Sequence, residues 1–366
     1  MQLIPVYRPS LLGNEKKYVN DCLDSSWISS KGKYIELFES AFSHYTGINH
    51  SIAVSNGTVA IHLALAALCI GPGDEVIVPT LTYIASVNAI TYTGATPVFA
   101  DSCQETWQVS VDSIELRLTP RTKAVLVVHL YGQVCDTKAI RLLCDKYNLF
   151  LVEDCAEAFG SKYEDVHVGN LGHIATFSFF GNKTITTGEG GMVCANDQTL
   201  AERCRKLKGQ GLALYREYWH DVVGYNYRMT NICAAIGLAQ LERANQFLEK
   251  KRNLYEKYVN CLSGLPLKFL GEQPNTVNSF WMINIALDNA RDRDPLRDFL
   301  RLNRVETRPV FYPVHTMPIY SNKFESHPVA EDIARRGISL PSWPELPDSD
   351  LARITESIHA YFANHS

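Results

Sequence analysis

Lys183 is the residue with the most chemistry within reach. It lies in Thr176-Phe-Ser-Phe-Phe-Gly-Asn-Lys-Thr-Ile-Thr-Thr-Gly-Glu-Gly-Gly191, where an apolar run breaks at Gly181 and Asn182 and a glycine cluster follows. An amine held beside a buried strand has its pKa lowered by desolvation, and a neutral amine attacks aldehydes to form a Schiff base. A single loop lysine is ordinarily just solvated, so its meaning depends on its companions. The first of these is Asp154, which ends the apolar run Leu149-Phe-Leu-Val-Glu-Asp154 and is followed by the small residues Cys155 and Ala156. A carboxylate at a strand end binds metals or caps turns; beside a reactive lysine it can also hold a heterocyclic nitrogen in its protonated form.

Pyridoxal 5′-phosphate requires a lysine for its aldehyde, an anion for its ring nitrogen, a phosphate cup and an aromatic cover. Lys183 and Asp154 fill the first two requirements. In Ser55-Asn-Gly-Thr58 a strand ends at a glycine, a hydroxyl follows and a helix begins. Free N–H groups and the helix dipole then converge on one point, which makes Gly57 and Thr58 candidates for the phosphate, with Ser178 adding a hydroxyl. The same pattern is also an ordinary N-cap with its turn glycine. Tyr83, after the strand end at Thr80, is the candidate ring to stack on the cofactor.

Five segments carry a resemblance: Val54-Ser-Asn-Gly-Thr58, Val152-Glu-Asp-Cys-Ala-Glu-Ala158, Ser178-Phe-Phe-Gly-Asn-Lys-Thr184, Thr187-Gly-Glu-Gly-Gly191 and Gly224-Tyr-Asn-Tyr-Arg-Met229. They are similar to the sugar-nucleotide aminotransferases of the DegT/DnrJ/EryC1/StrS family, and the likeness is collinear from Pro5 to Pro344. It implies the aspartate aminotransferase-like fold type I, pyridoxal phosphate on Lys183 and L-glutamate as amino donor. The acceptor implied is GDP-4-keto-6-deoxymannose, a GDP-linked keto sugar, and the product a 4-amino sugar for O-antigen and related polysaccharides. An aminotransferase for another nucleotide-linked 4-keto-6-deoxy sugar, such as a dTDP-linked one, would share every cofactor residue. A non-catalytic PLP-binding regulatory protein is the alternative from another class. Dehydratases of the family carry histidine in place of the lysine, which Lys183 excludes here.

The resemblance assigns further residues. It sets Glu157 where many relatives have glutamine or histidine near the cofactor's phenolic oxygen; two neighbouring anions repel, so Glu157 is expected to be protonated or to share a proton there. It places Asn226 across a homodimer interface, on the neighbour's cofactor phosphate, so that the active sites are shared; dimer and tetramer both remain open. It lays the arm carrying Trp27 over the substrate entrance, making Trp27 a candidate sugar contact. From residue type alone Tyr312 and His315, in a proline-stiffened loop, are candidates too, although a lone histidine is usually a satisfied surface residue.

The elements that must position these groups follow from periodicity. Short β-rich runs at 52–55, 75–79, 97–100, 124–128 and 149–152 alternate with helical segments at 59–67, 84–92 and 137–147, the pattern of a mostly parallel α/β sheet with helices on both faces. Ligands of such sheets bind off the strand C-termini, where these polar residues fall. A further strand is predicted at 192–194, a long helical spine at 231–258, and beyond it a smaller α+β unit with strands at 278–286 and 305–310. The expected division is 1–240, the larger unit with its N-terminal arm, and 241–366.

Composition excludes several classes. The 366 residues are 46% hydrophobic and 20% charged with a net charge of −4, and lack the basic runs of a nucleic-acid or membrane-surface binder. Ten scattered cysteines without a CxxC pair suit a reducing compartment, and no metal is expected. The N-terminus lacks signal-peptide character, so a cytoplasmic location is expected. A nicotinamide-dependent reductase is disfavoured because no GxGxxG follows an early strand.

Overall fold

The computed structural model describes residues 2–213, 215–322 and 324–365. The larger part is built from strands β1 (His50–Val54), β2 (Glu75–Pro79), β3 (Thr96–Ala100), β4 (Thr122–Val128), β5 (Phe150–Asp154), the short β6 (Lys162–Tyr163) and β7 (Val166–His167), β8 (Ile174–Ser178) and β9 (Gly191–Ala195). Around them lie helices α1 (Glu15–Asp24), α2 (Lys33–Thr46), α3 (Gly57–Ala67), α4 (Ile84–Tyr92), α5 (Val111–Leu116), α6 (Thr137–Tyr147), α7 (Gln198–Lys208) and α8 (Asn231–Leu241). After α9 (Ala244–Cys261) come β10 (Leu267–Phe269), β11 (Thr276–Val277), β12 (Ile283–Leu287), α10 (Arg293–Leu302), β13 (Arg308–Pro309), α11 (Pro328–Arg336), β14 (Gly337–Leu340) and α12 (Asp348–His365).

The main sheet has seven strands in the order β1-β9-β8-β5-β4-β2-β3. Only β9 runs against its neighbours; the other pairings are parallel. Both faces are covered, which is why the strands are apolar at nearly every position. Leu126, Val152 and Ile174 point to the α3 and α4 side with Ile61, Leu65 and Ile90, while Val125, Val127 and Leu151 join Ile140 and Cys144 of α6. Farther along the second face, Phe38 and Phe42 of α2 meet Phe177 and Phe179. This is the mostly parallel sheet that the resemblance to fold type I implies.

Three expectations are corrected. The spine at 231–258 is two helices, because the chain turns at Glu242 and Arg243. Tertiary bonds hold that break without glycine or proline: Gln240 donates to the Ser10 carbonyl and to Glu15, and Glu242 accepts from Asn14 and Tyr18. The strand expected at 278–286 begins only at Ile283. Its first half is an irregular loop in which Asn278 bonds the Phe280 N–H and Phe280 takes φ +49°. Likewise, 305–310 contributes only the two-residue β13.

A second, antiparallel sheet, β10-β12-β14-β13, packs with α9, α10 and α12 through Tyr258, Ile285, Leu300, Ile338 and Ile354. The N-terminal arm reaches this region: Ile4 bridges Val305, and the Ser342 N–H donates to the Val6 carbonyl. No helix among the described residues is long and apolar enough to cross a membrane.

Candidate active site

The reversal of β9 creates the loop that carries Lys183. Phe179 and Gly190 are bonded across its base, and Thr187 N–H closes back on Phe179. Gly188, at φ +81°, takes the turn that a side chain would strain. Two long-range bonds then fix the tip: Tyr7 Oη donates to the Lys183 carbonyl at 2.8 Å, and Trp281 Nε1 donates to the Asn182 carbonyl at 2.6 Å. The ammonium therefore enters a cleft of about 580 Å³ off the C-terminal ends of the parallel strands. Nζ sits 3.8 Å from the centroid of the Trp281 ring and 3.8 Å from Glu157 Oε1. Burial lowers its pKa, and the neighbouring Glu157 and Asp154 only partly oppose that shift.

Asp154 closes β5 and faces the same cleft. Ser86 Oγ donates to it at 2.7 Å and the Ala156 N–H at 3.0 Å. Its burial raises the carboxyl pKa against these donors and the Lys183 charge. Glu157, one turn on, accepts the Tyr131 N–H at 2.9 Å. Tyr131 holds that N–H in place from a left-handed conformation, φ +58°, a strain that surrounding packing must support. Burial pushes the Glu157 carboxyl up to about 7, with Lys183 and the Tyr131 N–H pulling the other way.

Glu153, just before Asp154 on β5, points to the opposite face and takes no part. With His129 and Cys155 it forms a buried cluster whose ligating atoms lie within 4.8 Å of one another. The donors there are already committed: His129 Nδ1 accepts from the Cys135 N–H at 3.1 Å, leaving Nε2–H for Glu153 at 3.0 Å, and the N–H groups of Gly169 and Gly172 cover the carboxylate. This is a structural tie beneath the site.

Opposite Lys183, helix α3 begins at the end of β1. Its N-cap, Asn56, takes the Val59 N–H at 3.0 Å, while the first-turn amides of Gly57 and Thr58 have no acceptor within the helix. Both residues line the cleft with Ser178. A Cβ on Gly57 would lie 2.8 Å from Ser178 Cβ, so only glycine lets β8 approach this closely. Tyr83 caps α4 at the mouth of the cleft, 56% exposed, its ring 5.7 Å from that of Phe311.

Of the candidates named from sequence, Lys183, Asp154, Glu157, Gly57, Thr58, Ser178 and Tyr83 share one cleft. The others do not line it. Asn226 is exposed on a separate loop, its Oδ1 accepting two bonds from Arg228 at 3.1 Å. Trp27 is exposed in a different hollow beside Asp21 and Lys33. Tyr312 is half-exposed with Arg293 over its ring. His315, expected to face a sugar, is instead buried: Nδ1 bonds Thr80 Oγ1 at 2.6 Å and Nε2 meets Glu331 at 3.3 Å, so both ring nitrogens are used inside the protein.

Four contributors escaped the sequence reading: Ser86, Tyr131, Trp281 and Arg308. Ser86 lies three residues after Tyr83, so its helical spacing could have revealed it. Tyr131 acts through its backbone, which leaves no trace in residue type. Trp281 was hidden inside a stretch read as strand. Arg308, which lines the cleft from β13, carried no motif of its own.

Comparison with known proteins agrees with this geometry. The model of the DegT/DnrJ/EryC1/StrS aminotransferase family matches residues 9–359. The chain is 58% identical to the GDP-perosamine synthase of Escherichia coli O157:H7, covering all of both chains. It is 51% identical to the enzyme of that name from Vibrio cholerae, over 98% of this chain and 99% of the other. The crystal structure of the aminotransferase TlmJ from Streptoalloteichus hindustanus superposes with a TM-score of 0.95 at 32% identity, covering all of both chains. On the family match, the end-to-end identities and the shared fold, the chain belongs to the DegT/DnrJ/EryC1/StrS aminotransferase family.

Proposed function

We propose that this aminotransferase moves an amino group from L-glutamate to C4 of GDP-4-keto-6-deoxy-D-mannose, giving GDP-perosamine, with pyridoxal 5′-phosphate as cofactor. The observation that carries the cofactor assignment is that a largely buried amine, 13% exposed, a buried carboxylate and a helix N-terminus open on one cleft. The donor set suits the cofactor: Lys183 for its aldehyde, Asp154 for its ring nitrogen, the α3 amides with Ser178 for its phosphate, and Tyr83 for its ring face. When bound, the cofactor takes up the amino group and draws electrons from the carbon that loses a proton. The identity of the sugar is supported by the likeness to the two relatives.

In this reading Lys183 Nζ is the base that removes a proton from the donor's α-carbon. Its lowered pKa supplies the neutral amine that the step needs. Asp154 keeps a proton on the ring nitrogen, and an anion is retained there once a cation faces it, since opposite charge offsets the burial that raises its pKa. Glu157 shares a proton at the phenolic oxygen. Arg308 is the guanidinium on the cleft wall and suits the anionic groups of both substrates. Residues 1–240 provide the cofactor-binding unit and 241–366 the smaller unit. The protein works as a cytoplasmic homodimer, in which Asn226 reaches the partner's cofactor phosphate.

One experiment separates these statements. Borohydride reduction of the reconstituted protein followed by peptide mapping should place the adduct on Lys183. Incubation with glutamate and either the GDP-linked or the dTDP-linked 4-keto sugar should aminate the GDP-linked compound. Turnover of only the dTDP-linked sugar overturns the substrate assignment, and a protein whose colour glutamate leaves unchanged is not an aminotransferase.

A further inference from the structure

Lys251 is a fully buried lysine on α9 whose presence the catalytic cleft does not explain. Nζ donates to the Trp281 carbonyl at 2.8 Å and to the Ser342 carbonyl, and lies 5.1 Å from the centroid of the Tyr7 ring. Carbonyl oxygens and a π face thus carry this ammonium where a carboxylate usually would. A buried cation held in that way is costly, and burial brings its pKa down to about 7. Fold stability alone would be served by an apolar side chain of similar volume.

Two of these three partners, Tyr7 and Trp281, also hold the loop that carries Lys183. Tyr7 donates to the Lys183 carbonyl and Trp281 to the Asn182 carbonyl, while the Trp281 indole lies against Lys183 Nζ. Lys251 therefore holds, from behind, the backbone of Trp281 and the ring of Tyr7, the two residues that grip the Lys183 loop from the front. It ties α9, the loop leading into β12, the segment just after β14 and the N-terminal arm to one point. We propose that Lys251 is a positioning residue for Lys183, fixing Tyr7 and Trp281 so that the 182–183 backbone and the indole face hold the amine dry and aimed into the cleft.

This rests on Lys183 being the cofactor lysine, as argued above. The charged and titratable groups around the pair are Glu157 and Asp154 facing Lys183, and Tyr7 facing Lys251, with Glu345 behind Tyr7. Removing the Lys251 donors loosens the tryptophan that shields Lys183 and admits water to the amine. Burial is the largest cause of the lowered Lys183 pKa, so relieving it outweighs the lost contact with the indole face and moves that pKa upward.

The test uses Lys251→Met, which keeps volume but donates nothing, and Lys251→Gln, whose amide retains two N–H donors. In the cofactor-free full-length chain, the pH dependence of Lys183 acylation by a limiting amine reagent is followed by peptide mass spectrometry, with folding checked by circular dichroism. The Lys183 midpoint should rise by about 0.5–1 unit in Lys251→Met and less in Lys251→Gln. In the reconstituted enzyme kcat should fall by about tenfold while KM changes little, as expected when a group acting on the reacting centre is displaced. If borohydride traps the cofactor at Lys183 and the midpoint in folded Lys251→Met equals that of wild type, the proposal is overturned alone. Trapping at another lysine in the wild type overturns the Lys183 assignment and the proposal with it. Failure of both variants to fold assigns Lys251 to the fold and also overturns it.

Discussion

At the scale of single residues, the site is a contest between burial and charge. Burial drives Lys183 toward its neutral form and Glu157 and Asp154 toward theirs; the lysine and the two carboxylates partly restore one another's charge, while Asp154 pushes Glu157 further toward its neutral form. Glu157 is the most informative of the three, because its carboxyl titrates at about 7. Above that pH it is an anion 3.8 Å from Nζ and favours the protonated lysine; below it, this support is withdrawn. Glu157→Gln removes the support at every pH, so the Lys183 pKa should fall further and the inflection near neutrality should vanish from the absorbance titration of the cofactor-loaded enzyme. Superimposable titrations of wild type and variant would rule out the coupling. Asp154→Asn makes a different test. A neutral amide can still meet Ser86 and the Ala156 N–H, and it spares the burial of a charge, so the melting temperature should hardly move. The rate should drop by about 10²–10³-fold, the scale of losing one organised electrostatic contact at a reacting centre. A rate near that of wild type in steady-state assays would remove Asp154 from the chemistry.

At the scale of elements, the proposed phosphate end of the site depends on how closely β9 approaches the start of α3. A Cβ on Gly191 would fall 2.5 Å from the Asn56 carbonyl oxygen and 3.0 Å from the Gly57 nitrogen, both backbone atoms that cannot swing aside. Gly191→Ala should therefore part β9 from α3, costing about 1–3 kcal/mol of stability and weakening cofactor retention. Thermal melts of the apo-protein and dialysis of the loaded one would measure the two effects, and unchanged retention would show that the α3 amides do not hold the phosphate. Such close contacts mark the limit of what the sequence makes legible. The strand-helix alternation and the Asp154–Lys183 pair could be read directly, because apolar periodicity and residue type both survive in one dimension. Arrangements made by the third dimension could not. The break after α8 is enforced by bonds to the arm, Tyr131 acts through a strained backbone, and Trp281 reaches Lys183 from a loop 98 residues away that carries strand-like composition. His315 shows the converse error: its residue type suggested a ligand contact, whereas Thr80 and Glu331 use it internally.

At the scale of the whole molecule, the surface next to Asn226 calls for a partner. Tyr215, Tyr218, Trp219, Val222 and Val223 are all exposed on the loop leading to it, with Tyr218 at 92% and Val223 at 88%. Clustered exposure of large apolar side chains is characteristic of an interaction surface. The loop is otherwise well anchored: Tyr225 and Tyr227 stack at 4.8 Å, Tyr227 meets His62 of α3, and the Tyr227 carbonyl accepts the Ser55 N–H. Asn226 is thus exposed on an anchored segment and does not line its own chain's cleft, which suits the proposed shared site. A homodimer of this design makes a quantitative prediction. Lys183→Ala inactivates the site of the chain that carries it, while Asn226→Ala damages the site of the partner, so each pure variant should be impaired. In a hybrid dimer both defects fall on the same site if Asn226 acts across the interface, and the other site is wholly native. Random reassortment of equal amounts should make half the dimers hybrid, so activity should recover to about a quarter of wild type. If Asn226 serves its own chain instead, the two defects occupy different sites of the hybrid and no native site forms. Mixing the variants after reversible dissociation, with assays before and after reassociation, distinguishes the two arrangements, and the absence of any gain over the summed parents would return Asn226 to its own subunit.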